Sequence, residues 1–286
     1  MNFQRPTRSV LITGASSGIG EAAAHLFAES NWRVWAGVRN KDDYFRLKQF
    51  KGIEPLVLDV RSDEQVALAI EQISESHEAC DLDVLVANAG IVKAGPIEFA
   101  SIEDWREQFE TNVFGVVRLL RASMPLMRRA SDPRIIIIGS INSRIGMPLL
   151  GPYAASKHAL SGLADSFRRE LGSDGPRVSV IEPGAVDTPL WGKASEMAAS
   201  MVASMGVEEM GRYGAVIAAQ RRKVAKQKNQ VCSPEAVAKK IILCAASSRP
   251  PAHLLVGKDA RLAWAMQSVL PSRLFDWIIR TRTKSN

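Results

Sequence analysis

Tyr153-Ala154-Ala155-Ser156-Lys157 sets a phenol and an ammonium four residues apart in a helix-like segment, and that spacing places both on one helix face. A free phenol, with a pKa of about 10, is a poor proton acceptor near neutral pH. A neighbouring ammonium favours phenolate, so it is expected to draw that pKa toward the working range and let Tyr153 exchange a proton with a reacting oxygen. Alone, the spacing is a helix surface. Its meaning depends on what else the chain brings to the same place.

The second element able to do chemistry is Thr13-Gly14-Ala15-Ser16-Ser17-Gly18-Ile19-Gly20, which sits where a first strand ends and a helix begins. Its glycines allow a tight turn that offers peptide N–H groups to a pyrophosphate at the positive helix end. A helix-initiating loop with serine caps is the simpler alternative. If a nicotinamide dinucleotide lies there, the positive ring of its oxidised form joins Lys157 in favouring phenolate. Proton exchange at Tyr153 then accompanies hydride transfer, and Lys157 also hydrogen-bonds the nicotinamide ribose. The second strand ends Gly37-Val38-Arg39, where a carboxylate would accept from the ribose hydroxyls and repel a 2′-phosphate. A guanidinium there favours NADP(H), with NAD(H) as the alternative, unless Arg39 is simply a solvated surface residue. Asp59, after the third strand, is placed either to accept from an adenine amino group or to cap the helix that starts near Asp63.

The elements that must position these groups alternate. Short β-branched runs at 9–13, 33–38, 54–58, 82–87, 134–139 and 177–181 are separated by helix-period segments at about 18–30, 41–50, 63–78, 103–130, 153–172 and 234–247. Ile135-Ile136-Ile137-Ile138 and Val84-Leu85-Val86 are apolar on both faces, as expected of parallel strands covered above and below by helices. The expected fold class is α/β: a single domain with a Rossmann-type doubly wound parallel sheet flanked by helices. The core spans about 8–190 and 233–257, a helical substrate lid follows the sixth strand at about 187–230, and a helical extension closes the chain at about 259–282.

In order and spacing, these motifs resemble the short-chain dehydrogenase/reductase (SDR) family over residues 8 to 190: Thr13 to Gly20, Asp59, Asn88-Ala89-Gly90, Asn112, Ser140, Tyr153 with Lys157, and Pro183-Gly184 followed by Thr188. Ala87 stands where the family commonly has a first asparagine. The resemblance implies that Ser140 hydrogen-bonds the substrate oxygen. It also implies that Asn112 sits in a local helix distortion holding a water, on a proton path from Tyr153 through the ribose hydroxyl and Lys157. The cofactor would be held by Gly14, Ser16, Ser17, Gly18, Ile19, Gly20, Arg39, Asp59, Val60, Asn88, Ala89, Gly90, Pro183, Gly184, Val186 and Thr188, together with Tyr153 and Lys157. Substrate would meet Ser140, Leu149, Tyr153 and Trp191. Leu149, Leu150, Trp191, Met197, Met201 and Met205 are expected around the reactive centre, where thioethers suit bulky lipophilic compounds, although they could equally pack the lid onto the body. This stretch and the basic segment from Arg221 to Lys228 are loosely similar to the steroid and retinol dehydrogenase branch. Steroids, retinoids and long-chain carbonyl compounds are the candidate substrates.

Composition narrows the remaining classes. The 286 residues are 46% hydrophobic, enough for one sizeable core. Cys80, Cys232 and Cys244 lie too far apart for a disulfide framework or a metal site, which fits a reducing, cytoplasmic home; no secretory leader is expected ahead of the first strand. The net charge of +7 has no nucleic-acid motif behind it. From Leu262 to Arg280 apolar clusters alternate with basic residues, and Pro271 and Arg273 interrupt them, so no bilayer crossing is expected. Such a tail caps a pocket, packs between the subunits of a homodimer or homotetramer, or rests on a membrane surface. The competing functional class is an NADP(H)-binding sensor or scaffold without turnover.

Overall fold

The computed structural model describes residues 8–76, 81–227 and 231–284. Its strands are β1 (Ser9–Thr13), β2 (Arg33–Val38), β3 (Ile53–Val57), β4 (Val84–Ala87), β5 (Arg134–Ile138), β6 (Arg177–Pro183) and β7 (His253–Val256). They form one sheet in the order β3-β2-β1-β4-β5-β6-β7, with every neighbouring pair parallel. The helices are α1 (Gly18–Glu29), α2 (Lys41–Leu47), α3 (Asp63–Glu75), α4 (Ile102–Phe109), α5 (Gly115–Met127), α6 (Gly151–Leu171), α7 (Pro189–Ala203), α8 (Val207–Gln227), α9 (Pro234–Ala246), α10 (Lys258–Val269) and α11 (Ser272–Lys284).

Strand periodicity explains the layers. Successive side chains point to opposite faces. Leu11, Leu85, Ile135 and Ile137 therefore join α3, α5 and α6 in one core cluster, while Ile12, Val86, Ile136 and Ile138 join α1 and α9 in the other. Both faces are dry, and these central strands read as continuous apolar runs for that reason. The chain order reverses between β1 and β4, so the connections leave a crevice at the carboxyl ends of those two strands.

The structure matches the expected single-domain doubly wound fold and departs from the sequence reading at several elements. The third strand runs one residue earlier than expected and carries Pro55, tolerated because β3 is the sheet edge. The fourth starts at Val84, because Asp81 and Asp83 are occupied by Ser9, whose N–H donates to Asp83 Oδ2 at 2.8 Å and whose hydroxyl donates to the Asp81 carbonyl at 2.6 Å. The single helix expected over 103–130 is two helices joined by a π-helical turn, Glu110–Phe114. A seventh strand, β7, extends the six that were read, pairing with the carboxyl half of β6.

Residues 187–230 supply α7 and α8, and an isolated bridge between Val186 and Cys232 closes the base of this excursion. Cys80 and residues 228–230 lie outside the described residues, while Cys232 and Cys244 are free. No described helix is long and apolar enough to cross a membrane.

Candidate active site

At the end of β1 the chain turns through Gly14 and Gly18, both at positive φ, into α1. Gly18 has a second reason to be glycine: a Cβ there would stand 2.9 Å from the Thr188 methyl group. Ser17 occupies the N-cap of α1 but makes no side-chain cap hydrogen bond, so the first-turn N–H groups open toward the crevice. This is a cradle for an anion. Ser16, Ser17, Gly18 and Ile19 line the crevice; Gly20 lies behind them, packed against the Gly14 carbonyl. The loop is fixed from below. Thr13 Oγ1 accepts the N–H groups of Asn88 and Ala89, each at 3.1 Å, and the Asn88 amide donates to the Thr13 carbonyl at 2.9 Å and the Gly14 carbonyl at 3.2 Å.

The crevice is a cleft of about 300 Å³. One end is lined by Arg39, Asp59, Val60, Ala89 and Gly90, the middle by the glycine loop facing Pro183, Gly184, Val186 and Thr188, and the other end by Ser140, Tyr153, Lys157 and Trp191. Arg39 is exposed and follows β2 directly, with no carboxylate at that strand end. Asp59 does not cap the following helix; Ser62 does, accepting from Gln65 N–H at 3.2 Å. Asp59 instead takes Nη2 of Arg61 at 2.7 Å, and these bonds, with Arg39 as a further positive neighbour, hold its carboxyl below the ordinary range.

At the reacting end the phenol and ammonium stand as the helical spacing required, both 5% exposed. Lys157 Nζ donates to the Ile138 carbonyl at 2.8 Å and lies 5.7 Å from the Tyr153 ring centre. Burial outweighs attraction here. The Tyr153 phenol is pushed up to about 12 by desolvation, opposed only by its hydrogen bond with Ser140, and desolvation pushes the Lys157 ammonium down to about 8. The expected lowering of the Tyr153 pKa is therefore not present in the protein alone, because burial penalises the phenolate more than its surroundings stabilise it. Ser140 begins a short turn and accepts from Asn142 N–H at 3.1 Å.

Asn112 lies in the π-helical turn, so the expected helix distortion is there. Its side chain does not reach the cleft lining. It accepts from Ile91 N–H at 2.9 Å and donates to the Ile91 carbonyl and to Ser156 Oγ, both at 3.1 Å. Gln108, one turn earlier and fully buried, accepts from Lys93 N–H at 2.7 Å and donates to the Ile91 carbonyl at 2.8 Å. These two amides tie the 91–93 backbone to the base of α6. Gln108 was not singled out in the sequence, nor was Lys93, which lines the cleft while paired with Asp104 at 3.1 Å and Glu107 at 2.6 Å.

The substrate-side expectations divide. Trp191 stands edge-on to Tyr153 at 5.9 Å, and Met197 lines the cleft. Leu150 is buried with Val92, Tyr153 and Ala194. Met201 packs on Gly95, and Met205 lies in the turn between α7 and α8. Leu149 is a correction: it does not line the cleft. It takes a positive φ in the loop before α6, and its carbonyl accepts from Gly95 N–H at 2.8 Å.

Behind the site α10 braces both loops. The Asp259 carboxylate accepts from Ala185 N–H at 2.9 Å and lies where a Cβ on Gly184 would be. Trp264 covers the Arg144 guanidinium at 4.6 Å, and Arg144 donates to the fully buried Glu182 at 2.8 and 2.7 Å. Asp259→Ala is expected to loosen the 183–188 segment and weaken dinucleotide binding by about 1 kcal/mol, roughly fivefold in a fluorescence titration. An unchanged dissociation constant would show that the segment holds its shape without that carboxylate.

An uncapped helix N-terminus at a glycine-rich turn and a lysine–tyrosine–serine group in the same cleft define a nucleotide-binding oxidoreductase of the α/β class. Residues 8–199 match the short chain dehydrogenase family, and the chain belongs to it. Over 278 residues it is 34% identical to the NADPH-dependent 3-dehydrocapnine reductase of Ornithobacterium rhinotracheale, covering 95% of each chain. It is 30% identical to the 3-ketodihydrosphingosine reductase of Bacteroides thetaiotaomicron over 281 residues, 95% of this chain and 96% of that one. A short-chain dehydrogenase structure from Streptomyces avermitilis superposes with a TM-score of 0.76 at 26% identity, over 98% of this chain and 100% of the other.

Proposed function

We propose that this oxidoreductase uses NADP(H) to interconvert a lipophilic ketone or aldehyde and its alcohol, with reduction the direction its own residues favour. The observation that carries this reading is the buried, neutral phenol of Tyr153 beside Ser140 at one end of the cleft, with Arg39 at the other end. Two full-length relatives named as reductases of keto or dehydro compounds, one of them NADPH-dependent, support it.

When bound, the cofactor supplies the hydride for the carbonyl carbon. Ser140 holds the carbonyl oxygen, and Tyr153 donates its proton to that oxygen as negative charge builds there. The resulting phenolate is then stabilised by the Lys157 ammonium across the shared helix face. Asn112 acts through position, keeping the Ile91 backbone and Ser156 in place at the foot of α6. Arg39 would hold the 2′-phosphate, and Asp59, oriented by Arg61, would accept from the adenine. Trp191 and Met197 on α7 shape the substrate end. The α7–α8 pair acts as its lid, tied to the 97–99 turn by Tyr213, whose hydroxyl donates to Glu98 Oε2 at 2.5 Å.

Reduction requires Tyr153 protonated and Lys157 charged. With Lys157 near 8 and Tyr153 near 12, kcat/KM for ketone reduction should be level below about pH 8 and fall as pH rises through it. Negative charge from the bound cofactor moves the fall upward in both kcat/KM and kcat. A rate that climbs with pH through this window would assign Tyr153 the opposite protonation state.

The direct test is NADPH oxidation against a panel of lipophilic ketones and aldehydes, with Tyr153→Phe as control. Turnover lost in the variant is the expected result. Tight NADPH binding without turnover of any carbonyl would instead favour a sensor or scaffold.

A further inference from the structure

Helices α10 and α11 carry large apolar side chains that the body leaves uncovered: Leu262 is 60% exposed, Val269 80%, Leu274 43% and Trp277 60%. Their spacing is helical. Leu262 and Val269 stand seven residues apart on α10, and Leu274 and Trp277 three apart on α11, so each helix presents its pair on one side. The orientation of α11 is set by Phe275, which is buried at 6% exposure, and by packing of α11 on α8. Leu274 and Trp277 are therefore left outward by an otherwise docked helix.

The charges on these helices indicate what covers them. Lys258, Arg261 and Arg273 are exposed, and none makes an ion pair among the described residues. The Asp259 carboxylate accepts the Ala185 N–H, which leaves Asp276 as the other carboxylate on the two helices. An interface between copies of a chain favours arginine and tryptophan but depletes lysine, and two copies of this face would bring its unpaired cations against one another. Apolar and aromatic side chains interspersed with unpaired cations, on a chain of net charge +7, instead complement a surface that is apolar within and anionic at its boundary. Tryptophan suits the headgroup level of such a surface, and arginine stems lie along it with their heads in water.

We infer that the outward face of α10 and α11 is a docking surface for an anionic lipid bilayer. It lies beside α8, on which α11 packs, and α8 follows directly on α7, whose Trp191 and Met197 line the cleft. Given the proposed function, a docked enzyme would take its lipophilic ketone from the bilayer without exposing it to bulk water.

The test is cosedimentation of the full chain with vesicles of phosphatidylcholine and phosphatidylglycerol in equal parts, and with phosphatidylcholine alone. Binding to the anionic vesicles should exceed binding to the neutral ones by about tenfold and decline with added salt. Leu274→Ser with Trp277→Ser, and separately Arg261→Glu with Arg273→Glu, should each lower it about tenfold at unchanged melting temperature and unchanged turnover of a water-soluble ketone. Failure of the intact, folded chain to bind anionic vesicles would overturn the inference. So would conversion of an oligomer to monomer by the Leu274→Ser, Trp277→Ser pair, which would assign the face to a second copy. Vesicle binding is read without turnover, so failure of the reductase reading leaves this outcome interpretable.

Discussion

Tyr153→Phe is expected to lower carbonyl reduction by about 10²–10⁴-fold, the range for removing a positioned general acid. The phenyl ring keeps its edge contact with Trp191 and its place among Val92, Leu150 and Ala194, so the fold and the cleft should survive. Only the proton source is removed. NADPH affinity, read by fluorescence titration, should stay within a few-fold of the parent, and the loss should appear in kcat. A variant that retains most of its turnover would mean that the oxygen takes its proton from elsewhere, and Ser140 would be the first group to question.

The second large effect concerns cofactor choice. Arg39→Asp removes the one cation that follows β2 at the cleft and installs a carboxylate where ribose hydroxyls would be received and a 2′-phosphate repelled. NADPH binding should weaken by about 1–3 kcal/mol, roughly five- to 150-fold, with NADH little changed or improved. Arg39 is exposed, so the difference should shrink with added salt. Equal weakening of both nucleotides would exclude Arg39 as the 2′-phosphate ligand.

The sequence made legible whatever depends on local pattern. β1 and β2 fall on the residues expected, because buried β-branched runs between turn signals have one reading. The glycine loop, Ser140, Tyr153, Lys157 and Thr188 meet in one cleft, as their order along the chain implied. Features set by distant contacts were not legible. Helix periodicity carries no sign of the π-helical turn, where Gln108 and Asn112 turn inward to the 91–93 backbone; the distortion at Asn112 was expected from the family resemblance alone. Asp259 and Trp264 brace loops more than 70 residues away in sequence, and an aspartate at a helix start reads as an ordinary first-turn acid. Leu149 missed the cleft because a positive φ redirects the loop just before α6. The direction of the Tyr153 shift also depended on depth: spacing put an ammonium beside the phenol, but burial of both outweighs that attraction.

The most direct measurement follows the hydride itself. NADPH dideuterated at nicotinamide C4 is incubated with the protein and a lipophilic ketone, and the alcohol product is weighed by mass spectrometry. Hydride transfer coupled to protonation by Tyr153 predicts an alcohol one mass unit heavier, one NADPH consumed per alcohol formed, and labelled product formed about 10²–10⁴-fold more slowly with Tyr153→Phe. Alcohol without the label, or tight NADPH binding with no alcohol from any carbonyl tested, would contradict the account.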